Sequence, residues 1–112
     1  MRVQYVHGML ERAKDAASLH LEEMPLEDIP VHIRDILQNH RDFSESRTFG
    51  QTGLGTPQEY EKLVVSEGDR TRTFEYFNKA ICYMAKGKEE DKPVFQVFAH
   101  LMMQARAKNR RE

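Results

Sequence analysis

The sequence predicts an all-α fold, a small bundle of four to five helices with one long loop. Three observations support this prediction. Apolar residues recur at steps of three and four in residues 94–105 and again in residues 3–24. Prolines stand where two further helices would begin. A chain of 112 residues has room for one domain with a modest core, so we treat residues 1–112 as a single helical domain.

The first predicted helix covers residues 3–24. Its apolar positions keep helical spacing: Val3, Val6, Leu10, Ala13, Ala17, Leu21 and Met24. A strand over Arg2–His7 is the competing interpretation, because this stretch is rich in β-prone residues. Pro25 ends the segment, and Pro30 can open a second helix. The buried side of that second helix would consist of Ile29, Ile33, Ile36, Leu37 and His40.

A long loop is predicted over residues 41–55, where serine, threonine and glycine are frequent. Phe43 and Phe49 are isolated aromatic residues within it, and we expect them to hold part of the loop against the core. The four residues Thr56-Pro57-Gln58-Glu59 then match the capping pattern of a helix start. This pattern predicts a short third helix, which ends at the turn over residues 66–69.

Residues 70–86 can be interpreted in two ways. A helix is favoured, because Phe74, Phe77, Ile81 and Met84 lie at helical steps. Residues 71–77 also alternate and are β-prone, which would give an α+β fold with a hairpin in residues 59–77. That alternative stays open.

The last predicted helix follows Asp91-Lys92-Pro93 and carries two apolar faces. One face consists of Val94, Val97, Phe98, Leu101 and Ala105. The second face consists of Phe95, Ala99, Met102 and Met103. A helix that is apolar on two sides needs two packing partners, and one of them can be another molecule. The helix ends in a basic cluster, Arg106, Lys108, Arg110 and Arg111.

No catalytic or metal-binding motif stands out. The five histidines, His7, His20, His32, His40 and His100, lack the short fixed spacing of zinc ligands. The segment Gly50–Thr56 has two glycines five residues apart, but it lacks the lysine of a phosphate-binding loop. Cys82 is a lone cysteine, expected to be a buried structural thiol. We therefore expect no cofactor and no metal.

Charge and hydropathy favour a soluble intracellular protein, cytoplasmic by default. The net charge is −1 and 31 % of residues are charged, which argues against a general nucleic-acid coat. No apolar run approaches the roughly 18 residues that a membrane-spanning helix needs. No secretory signal is visible at the first residues.

The predicted function is that of a non-catalytic protein-interaction module, an accessory or assembly subunit of a larger complex. It would bind a protein partner or a second copy of itself through the last helix. The expected contact residues are Phe95, Phe98, Met102 and Met103, with Phe43 and Phe49 as a second contact. The alternative is nucleic-acid binding by the basic helix end. An enzyme using His32, Asp35 or His40 is the least favoured class, because nothing activates a nucleophile.

Overall fold

The described residues form a mixed α+β fold, in which two α-helices pack on one face of a five-stranded sheet. The computed structural model describes residues 1–52, 57–80 and 92–111. The elements in chain order are β1 (Arg2–Leu10), β2 (Glu22–Met24), α1 (Val31–Asn39), β3 (Arg47–Gly50), β4 (Gln58–Glu67), β5 (Arg70–Phe77) and α2 (Lys92–Arg111). The strand order is β2-β1-β4-β5-β3. Neighbouring strands are antiparallel, except that β3 runs parallel to β5.

The predicted all-α helical bundle is wrong, and the first predicted helix shows why. Its first eight residues lie in β1, where alternation places Val3 and Tyr5 in the core. Apolar residues at positions 3, 6 and 10 satisfy a helical spacing by coincidence, while the strand uses a period of two. The strand interpretation over Arg2–His7 agrees with the structure.

The helix predicted from the capping pattern is also wrong, because β4 begins at Gln58. A capping box stabilises a helix end by about 1 kcal/mol, which is a local effect. In the fold, β4 is the central strand and pairs along its length with β1 on one side and β5 on the other. The two complete hydrogen-bond ladders outweigh the local preference.

The favoured helix over residues 70–86 is wrong for its first half, since Arg70–Phe77 forms β5. Residues 81–86 lie outside the described part of the chain. The alternative with a hairpin in residues 59–77 matches the observed β4–β5 pair. Glu67 pairs with Arg70 across a two-residue turn, and Gly68 at its first position has φ 58°. Glycine reaches this left-handed conformation at little cost, which explains the tight turn.

The predicted second helix is present as α1, directly after Pro30. Ile33 and Leu37 are its buried residues. The segment predicted as a loop contains a 3₁₀ turn at Arg41–Phe43 and the edge strand β3. Gly50 ends β3 with φ 81°, and a Cβ there would lie 1.9 Å from the Phe77 carbonyl oxygen. The close approach of β3 to β5 therefore requires glycine at this position.

The core lies between the sheet and the helices α1 and α2. From α2 it takes one complete stripe, Val94, Val97, Phe98, Leu101 and Ala105. One buried cation, Arg72 on β5, ties the sheet to the α1 region, with 3 % of its surface exposed. Its guanidinium donates to the carbonyls of Leu37 at 3.1 Å and Phe43 at 2.5 Å, and it also pairs with Glu67.

Among the described residues, no helix has both the length and the apolar character needed to cross a membrane.

Candidate functional site

The second apolar row of α2 lies beside the buried stripe, at the border between core and surface. Phe95, Ala99 and Met102 are partly buried, and Met102 packs against the core. Met103 is 70 % exposed. Phe98, which the sequence placed with the contact residues, is instead fully buried, and its ring meets Tyr76 edge-on at 5.2 Å. We call Phe95, Ala99, Met102 and Met103 the outer row of α2.

The two aromatic residues of the predicted loop are part of the core. Phe43 has 0 % of its surface exposed, and its ring lies 4.9 Å from that of Phe74. Phe49 on β3 is partly buried and packs against the same cluster. Edge-to-face aromatic pairs of this kind contribute about 0.5–1.5 kcal/mol beyond area burial. Both residues therefore have a packing role in the structure.

A buried carboxylate lies in the middle of the sheet, on the face that the helices cover. Glu61 of β4 has 0 % of its surface exposed and stands opposite His7 of β1. The Tyr5 hydroxyl donates to Glu61 Oε1, and Lys79 Nζ donates to the same oxygen at 3.0 Å. The other oxygen, Oε2, is buried and has no hydrogen-bond partner among the described residues. We call Tyr5, Glu61 and Lys79 the buried polar cluster.

Asn78 places Lys79 in this cluster by turning the chain at the end of β5. Its φ is 53°, a left-handed conformation that asparagine tolerates better than most residues. The turn is held by a pair of hydrogen bonds with Glu59: Asn78 N donates to Glu59 O at 2.8 Å, and Glu59 N donates to Asn78 Oδ1 at 3.1 Å. The Asn78 amide also donates to the carbonyl of Gln51 at 2.8 Å. Lys79 consequently follows at a fixed position and is 5 % exposed.

Burial controls the protonation of this cluster. Desolvation raises the pKa of Glu61 above its ordinary 4.5, although the Lys79 charge and the hydrogen bonds from Tyr5 and Lys79 oppose the rise. Burial likewise raises the pKa of Tyr5, and the charge of Glu61 adds to the effect. Burial also lowers the pKa of His7, with further lowering from the positive charges of Arg106 and Lys79. His7 is therefore mostly neutral near pH 7.

The buried polar cluster adjoins the outer row of α2. The Lys79 ammonium lies 5.6 Å from the centre of the Phe95 ring, a cation–π contact. Arg106, one turn beyond Met102, is close enough for its charge to act on Tyr5 and His7. The outer row of α2, which the sequence predicts as a contact surface, thus lies next to the buried polar cluster, which the sequence did not predict. The missed signal was Glu61 itself, a charge at an inward position of an alternating strand.

Both donors of the buried polar cluster share one carboxylate oxygen, Glu61 Oε1. The described part of the chain contains no group of three or more His, Cys, Asp or Glu residues that could hold a metal.

The residues of the least favoured enzyme class lie on or just after α1. His32 and Asp35 are exposed, and Asp35 accepts a hydrogen bond from Asn39 at 2.7 Å. The His40 ring caps the following turn by accepting from Asp42 N at 3.1 Å. These contacts are local ones within the helix and turn.

The predicted basic cluster is described only in part. Arg106 and Lys108 are exposed. The side chains of Arg110 and Arg111 lie outside the described part of the chain. So do Cys82 and residues 53–56 of the glycine-containing segment.

Comparisons with protein-family models, with curated proteins and with solved structures found no match.

Proposed function

We propose that the protein is a non-catalytic protein-interaction module, an accessory or assembly subunit that binds a partner protein through α2. The observation that carries the proposal is the outer row of α2. The core takes one stripe of this helix, while Met103 in the next row remains 70 % exposed beside partly buried Phe95 and Met102.

The side chains of the outer row suit a contact surface. Methionine is flexible and polarisable, so it adapts to a partner of irregular shape. Covering an exposed methionine gains about 1.5–3 kcal/mol when burial is complete. Arg106 at the end of the row adds a charge of the kind that lies at the rim of protein interfaces. The partner surface should therefore be apolar with an acidic border.

The buried polar cluster supports the non-catalytic part of the proposal. Glu61 is closed off from solvent, and its Oε1 atom is occupied by two intramolecular donors. A general acid or base needs hydrogen-bond access to a substrate, directly or through one water. The cluster instead stabilises the sheet beneath α2.

A pair of matched variants tests the proposal. Met103→Glu places a charge in the outer row, whereas Val31→Glu makes the same kind of change at the start of α1. The two positions are 70 % and 71 % exposed, so neither change should disturb the core. The tagged chain would be purified from cells that produce it naturally, and co-purifying proteins would be quantified by mass spectrometry. We expect Met103→Glu to lose at least tenfold of one specific partner, and Val31→Glu to retain it.

Two results would overturn the proposal. One is equal retention of every co-purifying protein by both variants. The other is a wild-type chain that runs as a monomer in light scattering and recovers no partner above an untagged control.

Nucleic-acid binding is a second candidate, favoured by the exposed basic end of α2. Arg106 and Lys108 form no ion pair with the described residues. If both contact phosphates, replacing them with alanine should reduce the salt slope of DNA binding by about 2, at roughly 0.9 per contact. Fluorescence anisotropy with a labelled duplex measures this. Absence of binding at low salt would exclude this candidate.

A further inference from the structure

A groove runs along the flank of α2 that faces away from the buried polar cluster. Its volume is about 510 Å³, which is within the range of peptide- and ligand-binding sites. One wall is formed by Met24 at the end of β2, by Pro25 after it and by Asp28. The other wall is formed by His100, Gln104, Ala107 and Lys108, which share one side of the helix.

The groove contains polar atoms that lack partners. The Gln104 side-chain nitrogen donates to the Asp28 carbonyl, which fixes the orientation of the amide. Its Oε1 atom is buried and has no hydrogen-bond partner among the described residues, and the same holds for His100 Nε2. Such an atom costs about 1–3 kcal/mol when it stays unsatisfied. Both atoms are closed off from solvent, so a ligand in the groove could bond to them only after these side chains turn toward it.

The spacing of these two side chains fits an extended peptide. His100 and Gln104 are one helical turn apart, about 5–6 Å between Cβ atoms. The backbone groups of an extended chain recur on one edge every two residues, which is about 6.6 Å. An extended segment therefore presents hydrogen-bonding groups at nearly the interval at which α2 needs them.

The sheet edge beside the groove offers the second half of such a site. β2 is the outer strand of the sheet and pairs with β1 over Glu22–Met24. No described strand lies on its other side, and this is the edge on which we expect a further strand to pair. Addition of a strand to a sheet edge is a common mode of peptide recognition, in which side-chain pockets supply the specificity.

We propose that the groove binds an extended peptide segment of a partner protein, which adds to the edge of β2 and lies against α2. An apolar side chain of the peptide would occupy the space between Met24 and Ala107. An acidic side chain next to it would meet Lys108, which is exposed and forms no ion pair with the described residues. Gln104 would have to give up its hydrogen bond to the Asp28 carbonyl to present its own carbonyl oxygen to the peptide N–H.

This inference rests on the proposed function, because both place partner binding on α2, but it uses different residues. The probe is a library of random nine-residue peptides displayed on phage and selected against the full chain. We expect the selected peptides to combine an apolar and an acidic residue. Fluorescence anisotropy then measures the Kd of one labelled peptide for the wild type and for variants.

Ala107→Arg fills the groove from an exposed position, so the fold should tolerate it. It should weaken peptide binding at least tenfold, and Lys108→Glu should weaken it as well. Gln96→Arg, on the exposed side of the same helix, is the matched control and should leave the Kd unchanged. Met103→Glu should also leave it unchanged, which separates this site from the outer row.

Selection of no peptide, or equal affinity for the wild type and Ala107→Arg, would refute the groove as a peptide site. With either result, Met103→Glu can still lose its partner protein. The proposal for the outer row and the proposal for the groove can therefore fail independently.

Discussion

Lys79→Met tests whether the buried polar cluster stabilises the fold as its geometry implies. Methionine is one atom shorter than lysine and ends in an apolar methyl group, so the change removes the ammonium that pairs with Glu61 at 3.0 Å. Removal of one partner from a buried ion pair costs about 3–5 kcal/mol, because the other charge stays buried alone. Glu61 can take up a proton and still accepts from Tyr5, so we expect the lower end, about 3 kcal/mol at pH 7.

Urea unfolding followed by circular dichroism measures this loss. With an m-value of about 1–3 kcal/mol/M, the midpoint should fall by roughly 1–3 M. Lys14→Met, at an exposed lysine, is the control and should change the midpoint little. The double variant Glu61→Gln with Lys79→Met removes both charges and keeps an acceptor for Tyr5. Its free energy of unfolding should be about 2 kcal/mol higher than that of Lys79→Met. A gain of this kind is expected when the two side chains interact directly.

Strict additivity of the two changes, or a loss below about 1 kcal/mol for Lys79→Met, would refute the reasoning.

The pH dependence gives an independent check. The folded pKa of Glu61 is raised above 4.5, so the folded state binds its proton more tightly than the unfolded state. The stabilisation that the protonated Glu61 gives the folded state is therefore complete below pH 4.5, and it is lost as the pH rises through the pKa of Glu61 in the folded state. The stability of the wild type relative to Glu61→Gln should fall over this window.

Three further variants test the packing of the sheet. Gly50→Ala should lower the free energy of unfolding, measured in urea, by at least about 2 kcal/mol. The new Cβ would overlap the Phe77 carbonyl oxygen, and the φ angle at this position is positive. Gly68→Ala, where the space is open, should cost about 1–2 kcal/mol from the positive φ alone, and an equal loss at both sites would contradict the steric account. Arg72→Met leaves two buried carbonyls without their donor and should cost about 2–4 kcal/mol in thermal unfolding. An unchanged melting temperature would show that solvent reaches those carbonyls.

The sequence predicted those parts of the fold that depend on local chemistry. α1 begins directly after Pro30, where the proline indicated a start, and the inward stripe of α2 follows the predicted spacing. β1 and β4 were misassigned because their stability comes from pairing between residues that are distant in sequence. A capping pattern or a helical spacing over a few residues carries no information about such partners. Glu61 could be recognised as an inward charge only after β4 had been assigned as a strand.

The candidate site was predictable only on its helical side, for the same reason. The outer row of α2 is visible in the sequence as surplus apolar residues. Its neighbours Tyr5, Glu61 and Lys79 come from β1, β4 and the residue pair after β5, and only the sheet brings them together. Sequence reasoning that treats these segments as separate helices cannot place them beside α2.

Two polar contacts define how α2 lies on the sheet. The apolar stripe repeats every three to four residues, so a shift of one turn would still present apolar side chains to the core. Near the start of the helix, Phe95 lies against the Lys79 ammonium, which Glu61 holds in place. Near its end, Gln104 donates to the Asp28 carbonyl. A one-turn shift would break both contacts and leave a buried charge without its aromatic neighbour, so a single register is favoured. Any binding surface on α2, whether the outer row or the groove, depends on that register.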